Sequence, residues 1–112
     1  MKLLLIVHRD EAALETFVTA VRKEKLCGFT MLETTGVGRI AAKEHYEFSI
    51  GSLSKLLEGE KLNNTTLFSL VPEERLERVM TLMHKLLPSF SEPGNGIYAV
   101  LDVSQFGGLE EP

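Results

Sequence analysis

The sequence predicts a single α+β domain over residues 1–112, with the element order βαββαβ and a four-stranded antiparallel sheet carrying two helices on one face. Three observations carry this. Four runs of apolar, β-branched or aromatic residues have strand character. Two stretches between them repeat apolar residues at helical spacing. The length of 112 residues suits one core, and 44% hydrophobic with 25% charged residues is ordinary globular usage.

Residues 2–7, KLLLIV, are a continuous apolar run and read as a buried strand. Asp10 is placed to cap the helix that follows. There Leu14, Phe17, Val18 and Val21 recur at i, i+3, i+4 and i+7. Arg22, Lys23 and Lys25 suit the negative end of its dipole, and Gly28 suits its carboxyl cap. Residues 29–35, FTMLETT, read as the second strand, which Gly36-Val37-Gly38 breaks. Residues 37–64 hold no sustained period, apart from a short helical pattern in Ser52 to Leu57. Residues 65–71, TTLFSLV, are the third strand. Pro72 fits the first helical position, with Glu73 and Glu74 behind it. Leu76, Val79, Met80, Met83 and Leu87 make the second amphipathic stripe, His84 and Lys85 sit in its last turn, and Pro88 ends it. Residues 97–103, IYAVLDV, are the fourth strand, and the acidic tail 104–112 reads as loose. This order is the ferredoxin-like split βαβ pattern.

Right-handed crossovers place both helices on one face of such a sheet. Yet the strands are apolar on both faces. The fourth offers Ile97, Ala99, Leu101 and Val103 on one side, Tyr98 and Val100 on the other; the third offers Leu67 and Val71, then Phe68 and Leu70. A lone domain would expose an apolar patch of roughly several hundred square ångströms, so the sequence predicts self-association through the open face.

The charge balance narrows the partners. Twelve basic against 16 acidic side chains give a net charge of −4, which argues against a nucleic-acid partner. The single cysteine, Cys27, excludes an internal disulfide and fits a reducing compartment. The apolar run Leu3 to Val7 is too short for a signal peptide or a membrane span, so the expectation is a cytoplasmic protein without membrane insertion. Connections of about 28 residues are uncommon in compact domains and are usually functional, which marks residues 37–64 as an interaction loop.

GFTMLETTGVGR (Gly28 to Arg39) resembles the second strand and loop start of the PII-type nitrogen-regulatory signalling proteins. TLFSLVPEERLERVMTLM resembles that family's third strand and second helix, and GNGIYAVLDV (Gly94 to Val103) its B-loop and fourth strand. The likeness covers almost the whole chain in order and spacing. It implies a homotrimer with inward-facing sheets and a long T-loop, here 37–64, offered to a partner protein. It also implies an effector, usually an adenine nucleotide, in the cleft between subunits. Carried over residue by residue, the effector contacts are Thr30, Gly36, Gly38, Arg39, Gly94, Asn95 and Gly96. The partner-facing tip contains Lys43, Glu44, His45, Tyr46 and Glu47. Several positions depart from the pattern. Glu92 and Ile97 stand where the family carries B-loop lysines, and residues 104–110 contain no basic residue where the family has phosphate-binding arginines. A divergent paralogue is implied, with no resident cofactor and feeble ATP binding. A less charged effector is expected, held by its base and by backbone N–H groups.

Each of these features has a plainer reading beside it. Gly36 and Gly38 can free backbone N–H groups for an anion that Arg39 forks onto, or simply end a strand. Gly94 to Gly96 is an anion nest or a tight turn, and Thr30 a base contact or a good strand residue. Glu44, His45 and Glu47 hold ligand chemistry for a divalent ion but match no defined spacing. That trio supports the alternative of a CutA-like metal-binding trimer of the same fold. No Ser/His/Asp or Cys/His set stands out, so an enzyme is not expected. His8 reads as a strand-end polar residue, and Cys27 as a packed thiol.

Overall fold

The apolar run near the amino terminus becomes the inner strand on which the sheet is built. In β1 (Lys2–His8), Leu4, Ile6 and His8 are buried and their neighbours half-buried. It is followed by α1 (Glu11–Lys23), β2 (Thr30–Thr35), β3 (Asn63–Val71), α2 (Glu73–Leu86) and β4 (Gly96–Asp102). The computed structural model describes residues 1–35, 63–87, 90–91 and 96–110. Every strand pair is antiparallel, in the order β2-β3-β1-β4. This is the ferredoxin-like α+β arrangement.

The core lies between the sheet and the helices. Leu14, Phe17 and Val21 of α1 and Val79, Leu82 and Met83 of α2 pack with Leu4, Ile6, Leu67 and Val71. Fully burying such a side chain is worth about 1.5–3 kcal/mol. At the start of α1, Asp10 acts as foreseen: its side-chain oxygen accepts the Ala13 N–H at 3.0 Å. The two helices are tied by Arg78, whose guanidinium forks onto the Glu24 carboxylate at 2.7 and 2.8 Å.

The structure corrects several details. α1 ends before Gly28, in a left-handed turn at Lys25 (φ 55°). There the Leu26 N–H donates to the Val21 carbonyl and the Lys25 N–H to that of Arg22, a Schellman cap. Pro72 is the N-cap of α2 and not its first helical residue. Leu82 is buried while Leu76 and Met80 are only half-buried, so the apolar stripe of α2 is rotated from the predicted one. β3 begins at Asn63, so Asn63 and Asn64 belong to the sheet and not to the long connection. The predicted helix at 52–57 and Pro88 lie outside the described residues. The tail has no regular structure through residue 110, but it is not simply loose. Val103 N–H reaches the Met1 carbonyl, and Phe106 and Leu109 wall a cavity at that end of the sheet.

Register settles the two faces. Tyr98 and Val100 stand opposite Ile6 and Leu4, on the helix side. The open face is formed by Leu3, Leu5 and Val7 of β1, Phe68 and Leu70 of β3, Leu32 of β2, and Ile97, Ala99 and Leu101 of β4. Among the described residues Leu32, Ile97 and Leu101 are 49%, 65% and 46% exposed, while Leu3, Leu5, Val7, Phe68 and Leu70 are half-buried, so this face carries exposed apolar side chains at its edge strands. Among the described residues no helix is long and apolar enough to cross a membrane.

Candidate functional site

The register brings the expected functional segments to one end of the sheet. Thr35 pairs with Asn63 and His8 with Gly96, so the connections to residues 36–62 and to the residues before Gly96 are both at that end. Of the candidate effector residues, Thr30 and Gly96 are described. Gly36, Gly38, Arg39, Gly94 and Asn95, and Lys43, Glu44, His45, Tyr46 and Glu47 of the proposed tip, lie outside the described residues.

Gly96 has a structural reason to be glycine. Its φ is +148°, and a Cβ there would lie 2.1 Å from the Val7 carbonyl oxygen. Thr30 is exposed on the open face at the far edge strand, in the row of Phe68, Leu5 and Ala99. Three strands across and three residues along separate it from Gly96, roughly 17 Å at ordinary sheet spacings. Within one chain the two cannot contact the same base-sized group.

Beside Gly96 the sheet end holds a cluster of rings. His8 meets Phe90 edge-on at 5.5 Å, Phe90 meets Tyr98 at 5.0 Å, and Tyr98 meets His84 at 5.5 Å. His8 is 2% exposed. Its Nδ1 accepts the Asp10 N–H at 3.0 Å. In the neutral ring the proton must then sit on Nε2, which makes that atom a donor and takes it out of metal ligation. Nε2 has no hydrogen-bond partner among the described residues, and neither has the buried Oδ1 of Asn64. Near Asn64 on the open face, the Thr34 and Thr66 hydroxyls meet at 2.7 Å.

The significance of His8 was readable in part. It shares the parity of Leu4 and Ile6, which places it in the core; what hid it was its position at the strand end. His84 lies in the last turn of α2, as the dipole argument expects, and adds the contact with Tyr98. Cys27 is a packed thiol at the opposite end. Burial pushes its pKa up, against the opposing pull of the Ser69 hydroxyl and the Arg75 charge. A thiol held protonated in this way is a weak nucleophile. No group of three or more His, Cys, Asp or Glu able to hold a metal ion occurs among the described residues.

Compared with known proteins, the chain matches no family model and no curated protein sequence.

Proposed function

We propose that this chain is a trimeric PII-like regulatory protein of the cytoplasm that senses a small effector in the clefts between its subunits. Residues 37–62 then carry the occupancy signal to a partner protein. The observation that supports this best is the bare open face of the sheet. Its apolar part runs over β1, β3 and β4 and reaches β2 at Leu32, beside Thr30, Thr34 and Thr66. Packing such faces against one another removes them from water, and the effector reading requires an arrangement in which the Thr30 edge of one copy also approaches the Gly96 edge of the next.

The effector reading rests on the resemblance and on charge. Arg39 is the only cation at the matched positions, and Glu92 opposes phosphate. A triphosphate would lose two or three charge-assisted hydrogen bonds of about 1.5–3 kcal/mol each, a hundredfold or more in affinity. Two measurements test the proposal. Light scattering at micromolar concentration should give about three times the 12.5 kDa chain mass. Calorimetry should then show AMP binding more tightly than ATP, with Arg39→Ala removing the contribution of the phosphate to both. A monodisperse monomer defeats the trimer, and tight ATP binding defeats the electrostatic argument.

A further inference from the structure

We propose that the cavity walled by the carboxyl-terminal tail is a binding site for an apolar molecule ending in a single carboxylate. It lies at the end of the sheet opposite to Gly96, so it is separate from the proposed effector cleft. Its volume is about 610 Å³, within the range of small-molecule pockets. Leu26, Cys27, Leu70 and Pro72 line it from the domain, and Phe106 and Leu109 from the tail. Phe106 and Leu109 are 56% and 49% exposed, an unusual state for two large apolar side chains facing the same hollow. A ligand body between them and the domain would cover both.

Charge decides the head group. Arg75 lines the cavity and is half-buried. Its Nη1 donates to the Leu26 carbonyl at 3.3 Å, which pins the guanidinium against the wall. Among the described residues no carboxylate pairs with it. Its remaining N–H groups form the fork that a carboxylate accepts from. Three glutamates also border the cavity, all exposed. Glu73 is engaged by the Met1 amine at 3.6 Å and by Lys2 at 4.0 Å. Glu74 and Glu110 face water, where their fields are strongly screened, whereas the half-buried Arg75 is screened less. One negative charge at Arg75 is therefore favoured. A dianion's second charge finds no further cation free for it among the lining residues, since the Met1 amine is engaged by Glu73, and so carries a desolvation cost without a partner.

The chain carries its own reporter. Cys27 is the only cysteine, and it lines the cavity. At pH 9 with prolonged exposure, conditions chosen because burial holds the thiol protonated near neutrality, decanoate below its micelle-forming concentration should slow alkylation of Cys27 by iodoacetamide at least tenfold. Decanol, decylamine and decyl phosphate at the same concentration should slow it less than threefold. Arg75→Gln should remove the advantage of decanoate over decanol. Gly28 lines the cavity, and a Cβ added there meets nothing within 4 Å. Gly28→Leu should fill the space and abolish decanoate protection, with an unchanged circular dichroism spectrum and melting temperature showing that the fold survives. Unchanged alkylation in decanoate, or equal protection by all four amphiphiles, would overturn the proposal.

Discussion

The two faces of this sheet are made of the same residue types and meet opposite fates. On the helix side, Leu4, Ile6, Leu67 and Val71 are fully buried by α1 and α2. On the other side, Leu32, Ile97 and Leu101 are exposed and Leu5 and Phe68 half-buried. Composition alone does not distinguish the faces. What distinguishes them is that both crossovers run over one side, which leaves the hydrophobic effect on the other side unspent within one chain. The covered face should govern whether the chain folds, and the open face how many chains assemble.

The largest effect should come from the covered face. Phe17→Ala empties the centre of the core and should cost about 3–5 kcal/mol in urea unfolding. Next, Gly96→Ala drives a Cβ into the Val7 carbonyl. It should cost about 1–3 kcal/mol, read from the same titration. The cost would reflect the junction of β4 with β1 and not loss of a ligand contact. Leu101→Asp places a charge on the open face, 46% exposed in a single chain. It should leave the monomer's stability within about 0.5 kcal/mol while lowering the mass measured by light scattering. If it unfolds the chain instead, the division of labour between the faces fails.

Smaller effects test the helix layer. Lys25 holds the left-handed position of the α1 cap. Lys25→Gly should stabilise by about 0.5–1 kcal/mol in thermal melts, because glycine meets no Cβ penalty there. The smallest effect is a pH dependence. The hydrogen-bonded Arg78 guanidinium holds the Glu24 carboxyl below its usual pKa. A carboxylate depressed in the folded state stabilises above its unfolded pKa, and that contribution is lost as pH falls through the folded value. The melting-temperature gap between wild type and Glu24→Gln should thus be widest near neutrality and close in acid. A gap that widened in acid would contradict the pairing.

Much of the fold was legible because its elements announce themselves locally. KLLLIV, the 3.6-residue stripe of α1 and the Asp10 cap each need only their neighbours to be read. The misplaced details depend on more distant context. Gly28 looks like a helix cap until the chain closes three residues earlier through Lys25. Asn63 and Asn64 look like loop residues until Thr34 and Thr35 pair with them. Tyr98 and Val100 could have faced either way; only the register with β1 puts them on the helix side of the sheet. The cavity was invisible because its walls come from residues 26–28, 70–75 and 106–110, which no window along the chain unites. His8 was the intermediate case, with a parity signal present but its buried Nε2 foreseeable only from the packing.

The placement of β1 also bears on how the molecule comes to exist. It precedes every other element in the chain, yet it is an inner strand, flanked by β3 and β4. Its pairing with β4 joins Lys2 to Asp102, 100 residues apart. An apolar strand of this kind must therefore wait, unpaired on both edges, until almost the whole domain is available. Loop closure over such distances makes folding slow relative to helical proteins of the same size. During that delay two bare edges are open to capture by another chain. The strand that anchors the finished sheet is thus its greatest hazard on the way there, and yields at high expression should depend on temperature and chaperone supply more than on the stability of the folded state.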